Sequence, residues 1–330
     1  MRLFITGGSG LTGANLCVTA LQRGHTVTTM VRDPASASFL TDAGCRVVTG
    51  DLANLDALAD GMTGADAVIN SAAVIGGTWS TAGPDDYDRA NYQGVVNVLD
   101  VAERAASHPR CVMISTAAIL DMSHTMTEIS PLQPIVHGPT TYTPAKLSAY
   151  YLTMHRASRG LHACTVVPSG IYGPSPLVDR ALAATSFNSS LLGALRGEFD
   201  GYLDMPLPWV FVQDVADIVL AAAEQGRPGA RYLAIGSSDD LRSLPDLCNQ
   251  INDLAGVAHR VRAIRPQDEP ERFGAMTRFS EHTYADPPID ASVTNKELGI
   301  TSTPVAEGLR RTLDWLRAAG RVPGSGRVPG

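Results

Sequence analysis

Eight residues near the start, Thr6-Gly7-Gly8-Ser9-Gly10-Leu11-Thr12-Gly13, lie between a short β-rich apolar run, Arg2 to Thr6, and a helical pattern, Leu11 to Arg23. That context constrains the fold more than any single composition figure. Glycines permit a tight turn and let backbone N–H groups approach a pyrophosphate, while the start of the helix adds partial positive charge. Gly7, Gly10 and Gly13, with Leu11 at the helix start, are the candidate cofactor contacts. The plain alternative is an ordinary glycine-rich turn, which is disfavoured by its place at a strand-to-helix junction.

A second β-rich run, Thr26 to Val31, completes a βαβ unit. The alternation continues through strand patterns at Arg46 to Val48, Ala67 to Asn70, Cys111 to Ser115 and Ala163 to Pro168. Helical patterns intervene at Asn54 to Met62, Tyr87 to Ala106 and Tyr142 to Ser158. The expected fold class is α/β: a Rossmann-type doubly wound parallel sheet with a smaller, interleaved C-terminal substrate-binding lobe. Residues 1–167 form the dinucleotide-binding domain in this reading and 168–319 mainly the substrate lobe. An amphipathic helix at Asp214 to Glu224 and a strand at Arg231 to Ile235 return the chain to the sheet at about 209–235. Between Leu120 and Thr141 periodicity fails, which marks a long loop. Residues 320–330 repeat Arg-Val-Pro-Gly with no apolar face and read as a flexible tail.

The residues after the second strand bear on which dinucleotide binds. An acid at the strand end would hold a ribose 2′-hydroxyl. Here Val31 occupies that point and Arg32 follows, and a guanidinium suits a 2′-phosphate in shape and charge. NADP is therefore the expected cofactor, with NAD kept as the alternative because Asp33 could reach a ribose hydroxyl if the turn is rotated by one residue; Arg32 could also be a solvated turn residue. Asp51-Leu52 follows the third strand and Ser71-Ala72-Ala73 the fourth, at the carboxyl edge where ligands bind in such sheets. Asp51 could accept a bond from the adenine amine or could cap the following helix. The small Ala72 and Ala73 would let a cofactor lie against the backbone.

Tyr142 and Lys146 stand four residues apart, one above the other on a helix face. A phenol with a pKa of about 10 is a poor acid–base group at neutral pH, and a neighbouring cation is expected to favour its ionised form. Pro144 between them is tolerable only in the first helical turn, so the helix must begin near Thr140 or Thr141.

In combination these features resemble the extended short-chain dehydrogenase/reductase superfamily, also called the NAD-dependent epimerase/dehydratase family. The resemblance spans about residues 1–317 and rests on Thr6 to Gly13, Asp51-Leu52, Asn70 to Ala73, Ser115-Thr116, Tyr142/Lys146, Ile171-Tyr172-Gly173-Pro174, Phe211 to Ala216 and Gly308 to Trp315. It implies that Tyr142 acts as the acid–base group and that Lys146 also holds the nicotinamide ribose. A third catalytic hydroxyl is implied at Thr116, with Ser115 in reserve, although a strand-end hydroxyl could simply cap backbone. Pro168, ending the sixth strand, joins the implied cofactor contacts. Members acting on nucleotide sugars carry an Arg-Pro-x-Asn sequence and a later Arg-Asp pair; this chain has Val167-Pro168-Ser169-Gly170 and Leu207-Pro208-Trp209 instead. It looks closer to the dihydroflavonol reductase and hydroxysteroid dehydrogenase-like branch. The expected reaction is hydride exchange between NADPH and a small-molecule carbonyl or alcohol, with Met205 to Trp209 as an apolar pocket wall or as core. A sugar-nucleotide epimerase or dehydratase that retains NAD, and a non-catalytic dinucleotide-sensing regulator, are the rival readings.

Bulk properties narrow the partners. The 330 residues are 44% hydrophobic and 18% charged, a globular balance. With a net charge of -7 and no block of consecutive Lys or Arg, nucleic acid is not expected as a partner. The five cysteines are scattered and the eight histidines lack ligand spacing, so no metal is expected. No run approaches the roughly 20 apolar residues that cross a bilayer, and no secretion signal is read at Met1 to Ile5, so a cytoplasmic enzyme is expected. A homodimer is left open.

Overall fold

The computed structural model describes residues 1–76, 80–134, 141–273 and 289–322. Seven parallel strands form the central sheet: β1 (Arg2–Thr6), β2 (Thr26–Val31), β3 (Arg46–Thr49), β4 (Ala67–Asn70), β5 (Arg110–Ile114), β6 (Ala163–Pro168) and β7 (Arg231–Ala234). Their spatial order is β7-β6-β5-β4-β1-β2-β3. The order reverses between β1 and β4, which pair with Thr6 opposite Asn70. Ligands bind outside the carboxyl ends of strands at such a switch point.

Burial on both faces explains the apolar strands. Leu3 and Ile5 of β1 join the core under helix α1 (Leu11–Gln22) and the Ala-rich helix Val212–Gln225. Phe4 points the other way, into a core closed by helices Leu55–Met62 and Gly94–Arg104. A separate cluster around Tyr172, Leu191, Trp209, Phe211, Leu247 and Leu309 fills the second lobe. The lobes interleave because Val212–Gln225 and β7 rejoin the sheet, with Arg231 to Ala234 pairing onto Thr165 to Pro168.

The helix Tyr142–Ser158 begins after the N-cap Thr141, which places Pro144 in its first turn, where no backbone donor is lost. The expected helix at Tyr87 to Ala106 starts earlier, at Pro84, and contains a π-helical stretch, Asp88–Gln93. Only part of the expected loop is described; a 3-10 turn, Ala117–Ile119, precedes it, and Leu120 bridges Leu132 within it. Residues 135–140 and 323–330, including most of the expected tail, lie outside the described residues.

Candidate active site

The glycine-rich segment leaves β1 through Gly7 at φ +72, a left-handed conformation that disfavours a side chain. A Cβ there would also sit 2.7 Å from the Ala72 nitrogen. The first turn and the end of β4 therefore touch backbone to backbone. Gly10 donates its N–H to the Gly7 carbonyl at 2.9 Å, and a Cβ on Gly13 would overlap that same carbonyl oxygen. Gly10 is also the N-cap of α1 and offers no side chain to the first-turn N–H groups. The cradle consequently presents donors and a helix dipole with no side chain in the way, which fits a dinucleotide pyrophosphate. Gly8 was not among the expected cofactor glycines; its role is packing, since a Cβ would overlap Thr29, whose hydroxyl bonds the Ile5 carbonyl.

Two polar side chains that the sequence reading passed over fix the neighbouring backbone. The buried Thr6 hydroxyl donates to Asn70 Oδ1 at 2.6 Å and accepts from the Ala72 N–H at 3.2 Å. Asn91, buried in the π-helical stretch, accepts from the Val74 N–H at 2.9 Å and donates to the Val74 carbonyl at 2.8 Å. Ser71, Ala72 and Ala73 thus leave β4 on a backbone pinned from both sides, each partly exposed at the carboxyl edge. Asn91 was legible only as one polar residue in a helical run; π-bulges often mark functional sites.

At the adenosine end, Arg32 is exposed and makes no ion pair among the described residues. Asp33 Oδ1 accepts from the Ala35 N–H at 3.0 Å and caps a short 3-10 turn. Asp51 does not cap the next helix: Asn54 does, accepting from the Ala57 N–H, while Asp51 closes a local turn onto Ala53. The Leu52 side chain is buried against Gly94 and is core, so only its backbone remains for a ligand. Pro168 is buried at the end of β6, opposite Ala234.

The candidate catalytic groups converge where β5 ends. Lys146 is only 5% exposed, and its ammonium donates to the Ile114 carbonyl at 3.1 Å. Burial lowers its pKa to about 8. Tyr142 lies on the same helix one turn earlier and is partly buried. Burial raises its pKa, a hydrogen bond with Thr116 works against that rise, and Tyr87 adds to it. The expectation that Lys146 favours ionised Tyr142 is therefore not met in this state: desolvation governs both groups, holding the proton on the phenol and weakening the ammonium's hold on its own. Thr116 has two roles at once, because its oxygen also accepts from the Ala118 N–H at 3.3 Å. Ser115 Oγ is buried with no partner among the described residues, an orphan donor–acceptor beside the lysine's strand end.

The apolar run splits. Trp209 is core rather than pocket wall: it is 1% exposed, donates Nε1–H to the Arg242 carbonyl at 2.7 Å, and packs edge-on to Phe187. Pro208 is buried, while Met205, Pro206 and Leu207 are partly exposed.

A dinucleotide-binding α/β enzyme with a tyrosine, lysine and threonine set is the class that this fold and site define. The chain belongs to the NAD dependent epimerase/dehydratase family, whose model matches residues 3–236, and it is an NAD(P)-dependent enzyme of the extended short-chain dehydrogenase/reductase type. It is 31% identical over 248 residues to the 4-hydroxy-2-methyl-3-oxo-4-farnesyl-3,4-dihydroquinoline-1-oxide ketoreductase of Stigmatella aurantiaca, covering 74% of this chain and 71% of that one. It is 27% identical to a dTDP-glucose 4,6-dehydratase of Mycolicibacterium smegmatis, over 96% of this chain and 94% of the relative. Among solved structures it is similar to a dTDP-glucose 4,6-dehydratase from Bacillus anthracis in complex with NAD, with TM-score 0.75 and 20% identity over 96% of this chain and 97% of that one.

Proposed function

We propose that this enzyme reduces a ketone or aldehyde, or oxidises the corresponding alcohol, with NADP(H) as its coenzyme. The observation that carries the reading is the meeting of Tyr142 with Thr116 beside the buried Lys146 at the carboxyl edge of the sheet. The bound coenzyme would supply or accept the hydride at the carbonyl carbon. Tyr142, kept protonated by burial, gives its proton to the carbonyl oxygen as negative charge develops there. Thr116 donates a second hydrogen bond to that oxygen. In this reading Lys146 steadies the phenolate that remains and bonds the ribose, and Ser115 Oγ, which has no partner among the described residues, bonds the same ligand.

Arg32 supports NADP over NAD: its guanidinium is exposed with no ion pair among the described residues, whereas one oxygen of Asp33 is committed to Ala35. The substrate in this reading is a small carbonyl or alcohol compound, and neither nucleic acid nor a membrane takes part. Among the described residues no helix is long and apolar enough to cross a membrane, and no His/Cys/Asp/Glu group could hold a metal ion. Cytoplasmic residence goes with the same reading, and all five cysteines are buried and free.

Nucleotide-sugar dehydration is the second reading, favoured by the near full-length match to the mycobacterial dehydratase. NADPH consumption across ketones, aldehydes and steroid-like carbonyls, run beside Tyr142→Phe, separates the two. A reductase turns over added NADPH and loses about 100-fold or more in the variant. An enzyme that copurifies with NAD and leaves added NADPH untouched across the panel is not the reductase proposed.

A further inference from the structure

A catalytic tyrosine at the first position of a helix has a mechanical difficulty. Side chains on a helix lean toward its N-terminus, so a residue at that end leans past the helix and finds no earlier turn of its own to rest on. Tyr142 is such a residue, with Thr141 as the N-cap. Something outside the helix must hold the ring if its hydroxyl is to stay on Thr116.

Two elements supply that hold. On one side runs the backbone that leaves β4: a Cβ on Gly76 would come within 2.6 Å of Tyr142 Cβ and 2.9 Å of its Cγ. On the other stands Tyr87, itself only 8% exposed, whose ring meets that of Tyr142 edge-on at 6.2 Å between centroids and 71° between planes. Tyr87 is tethered in turn, because its hydroxyl shares a 3.0 Å hydrogen bond with Ser80, and Ser80 donates to the Ile75 carbonyl at 2.9 Å. Both walls come from one source. Tyr87 precedes the π-helical stretch and Asn91 lies within it, and Asn91 clamps Val74, two residues before Gly76.

We propose that Tyr87 is a positioning residue: with Gly76 it forms a slot that fixes the Tyr142 ring on Thr116, and the π-helical stretch holds both sides of that slot in register. The idea rests on the reductase reading for its purpose but not for its geometry. The slot follows from the ring contact and from the space that only a glycine leaves at position 76.

The test is a near-ultraviolet titration of tyrosine ionisation in the free protein, each variant being compared with the same variant carrying Tyr142→Phe, so that the difference reports Tyr142 alone. The groups that act on this phenol are Tyr87 and the Thr116 hydroxyl, and Lys146 stands one turn further along the same helix with its ammonium on the Ile114 carbonyl. Removing the ring in Tyr87→Leu opens one wall of the slot and admits water, so the Tyr142 ionisation constant rises by about tenfold, one pKa unit downward. Tyr87→Phe keeps the wall and stays within about threefold of wild type on the same scale. Gly76→Ala deletes nothing from the core but pushes the ring out of the slot, and shifts the titration in its turn. NADPH affinity, read by fluorescence, is unchanged in all three. The proposal is overturned if Tyr87→Leu and Gly76→Ala titrate like wild type, if Tyr87→Phe shifts as far as Tyr87→Leu, or if NADPH binding is lost along with the shift, which marks general unfolding. Because the titration needs neither substrate nor turnover, the slot and the reductase assignment can fail independently.

Discussion

Lys146 carries a cost in stability that can be measured. Its pKa falls from 10.5 to about 8 because it is buried with, among the described residues, one bond, to the Ile114 carbonyl, and no carboxylate. A depression of that size corresponds to about 3 kcal/mol at 1.36 kcal/mol per unit. The sign follows from proton counts: between about 8 and 10.5 the unfolded chain binds more protons at this lysine than the folded one, so stability rises with pH there. Below about 8 the penalty is present in full. Lys146→Met keeps most of the apolar stem and loses the charge together with a hydrogen bond worth about 1 kcal/mol. The variant should therefore be more stable at pH 7 by about 2 kcal/mol, a rise in unfolding midpoint of roughly 4 °C for a chain this long. Thermal melts of both proteins from pH 7 to 10, without coenzyme, read the difference; other titrating groups are common to both and cancel. The gain should shrink as pH climbs above 8. A Lys146→Met protein that melts below wild type at pH 7, or a difference that ignores pH, refutes the desolvation account.

Two other substitutions address the coenzyme and the third hydroxyl. Arg32→Ala should weaken NADPH binding about tenfold, as expected for the loss of a charge-assisted contact, and leave NADH within about twofold on the same energy scale; equal losses for both coenzymes in a fluorescence titration would remove the case for a 2′-phosphate site. Thr116→Val should lower kcat for ketone reduction by about 100-fold, the scale of one oxyanion donor. Ser115→Ala should instead act mainly on KM for the coenzyme, and kinetics in which Ser115→Ala is the more damaging to kcat would exchange their roles.

How much of this could be read from the chain alone depended on the range of the interactions involved. The cradle was legible because its requirements are local: a strand, a glycine where φ is +72, and a helix start follow one another within a few residues. Likewise Pro144 fixed the start of the helix that carries Tyr142 and Lys146, since only a first turn accepts it. The clamp formed by Asn91 was not legible. Its partner Val74 lies 17 residues away, and nothing in an alternating polar pattern distinguishes a buried amide that bonds both backbone groups of one residue from a solvated one. Trp209 and Leu52 were ambiguous for a related reason: an apolar side chain near an active-site edge satisfies the same pattern whether it lines the cleft or faces the core, and only packing decides. The charge relation between Tyr142 and Lys146 was misjudged for a quantitative reason. Spacing of four fixes their proximity, but the balance between attraction and desolvation depends on how far both are removed from water, which no spacing encodes.

That balance bears on direction. With burial raising Tyr142 and lowering Lys146, the free site at neutral pH holds a neutral phenol, a proton donor waiting for an acceptor. Reduction of a carbonyl consumes a proton at oxygen, so the donor is already in the required form. Oxidation of an alcohol, like the first step of an epimerase or dehydratase cycle, instead calls for the phenolate at the start, and the buried site disfavours it. The pair would need an added interaction, such as a ligand hydroxyl bonded to Lys146 and Tyr142 together, before it could serve as a base. Thr116 partly offsets the penalty on the phenolate through its hydrogen bond, but burial remains the largest influence. The resting protonation of this site is thus the form from which the proposed carbonyl reduction starts.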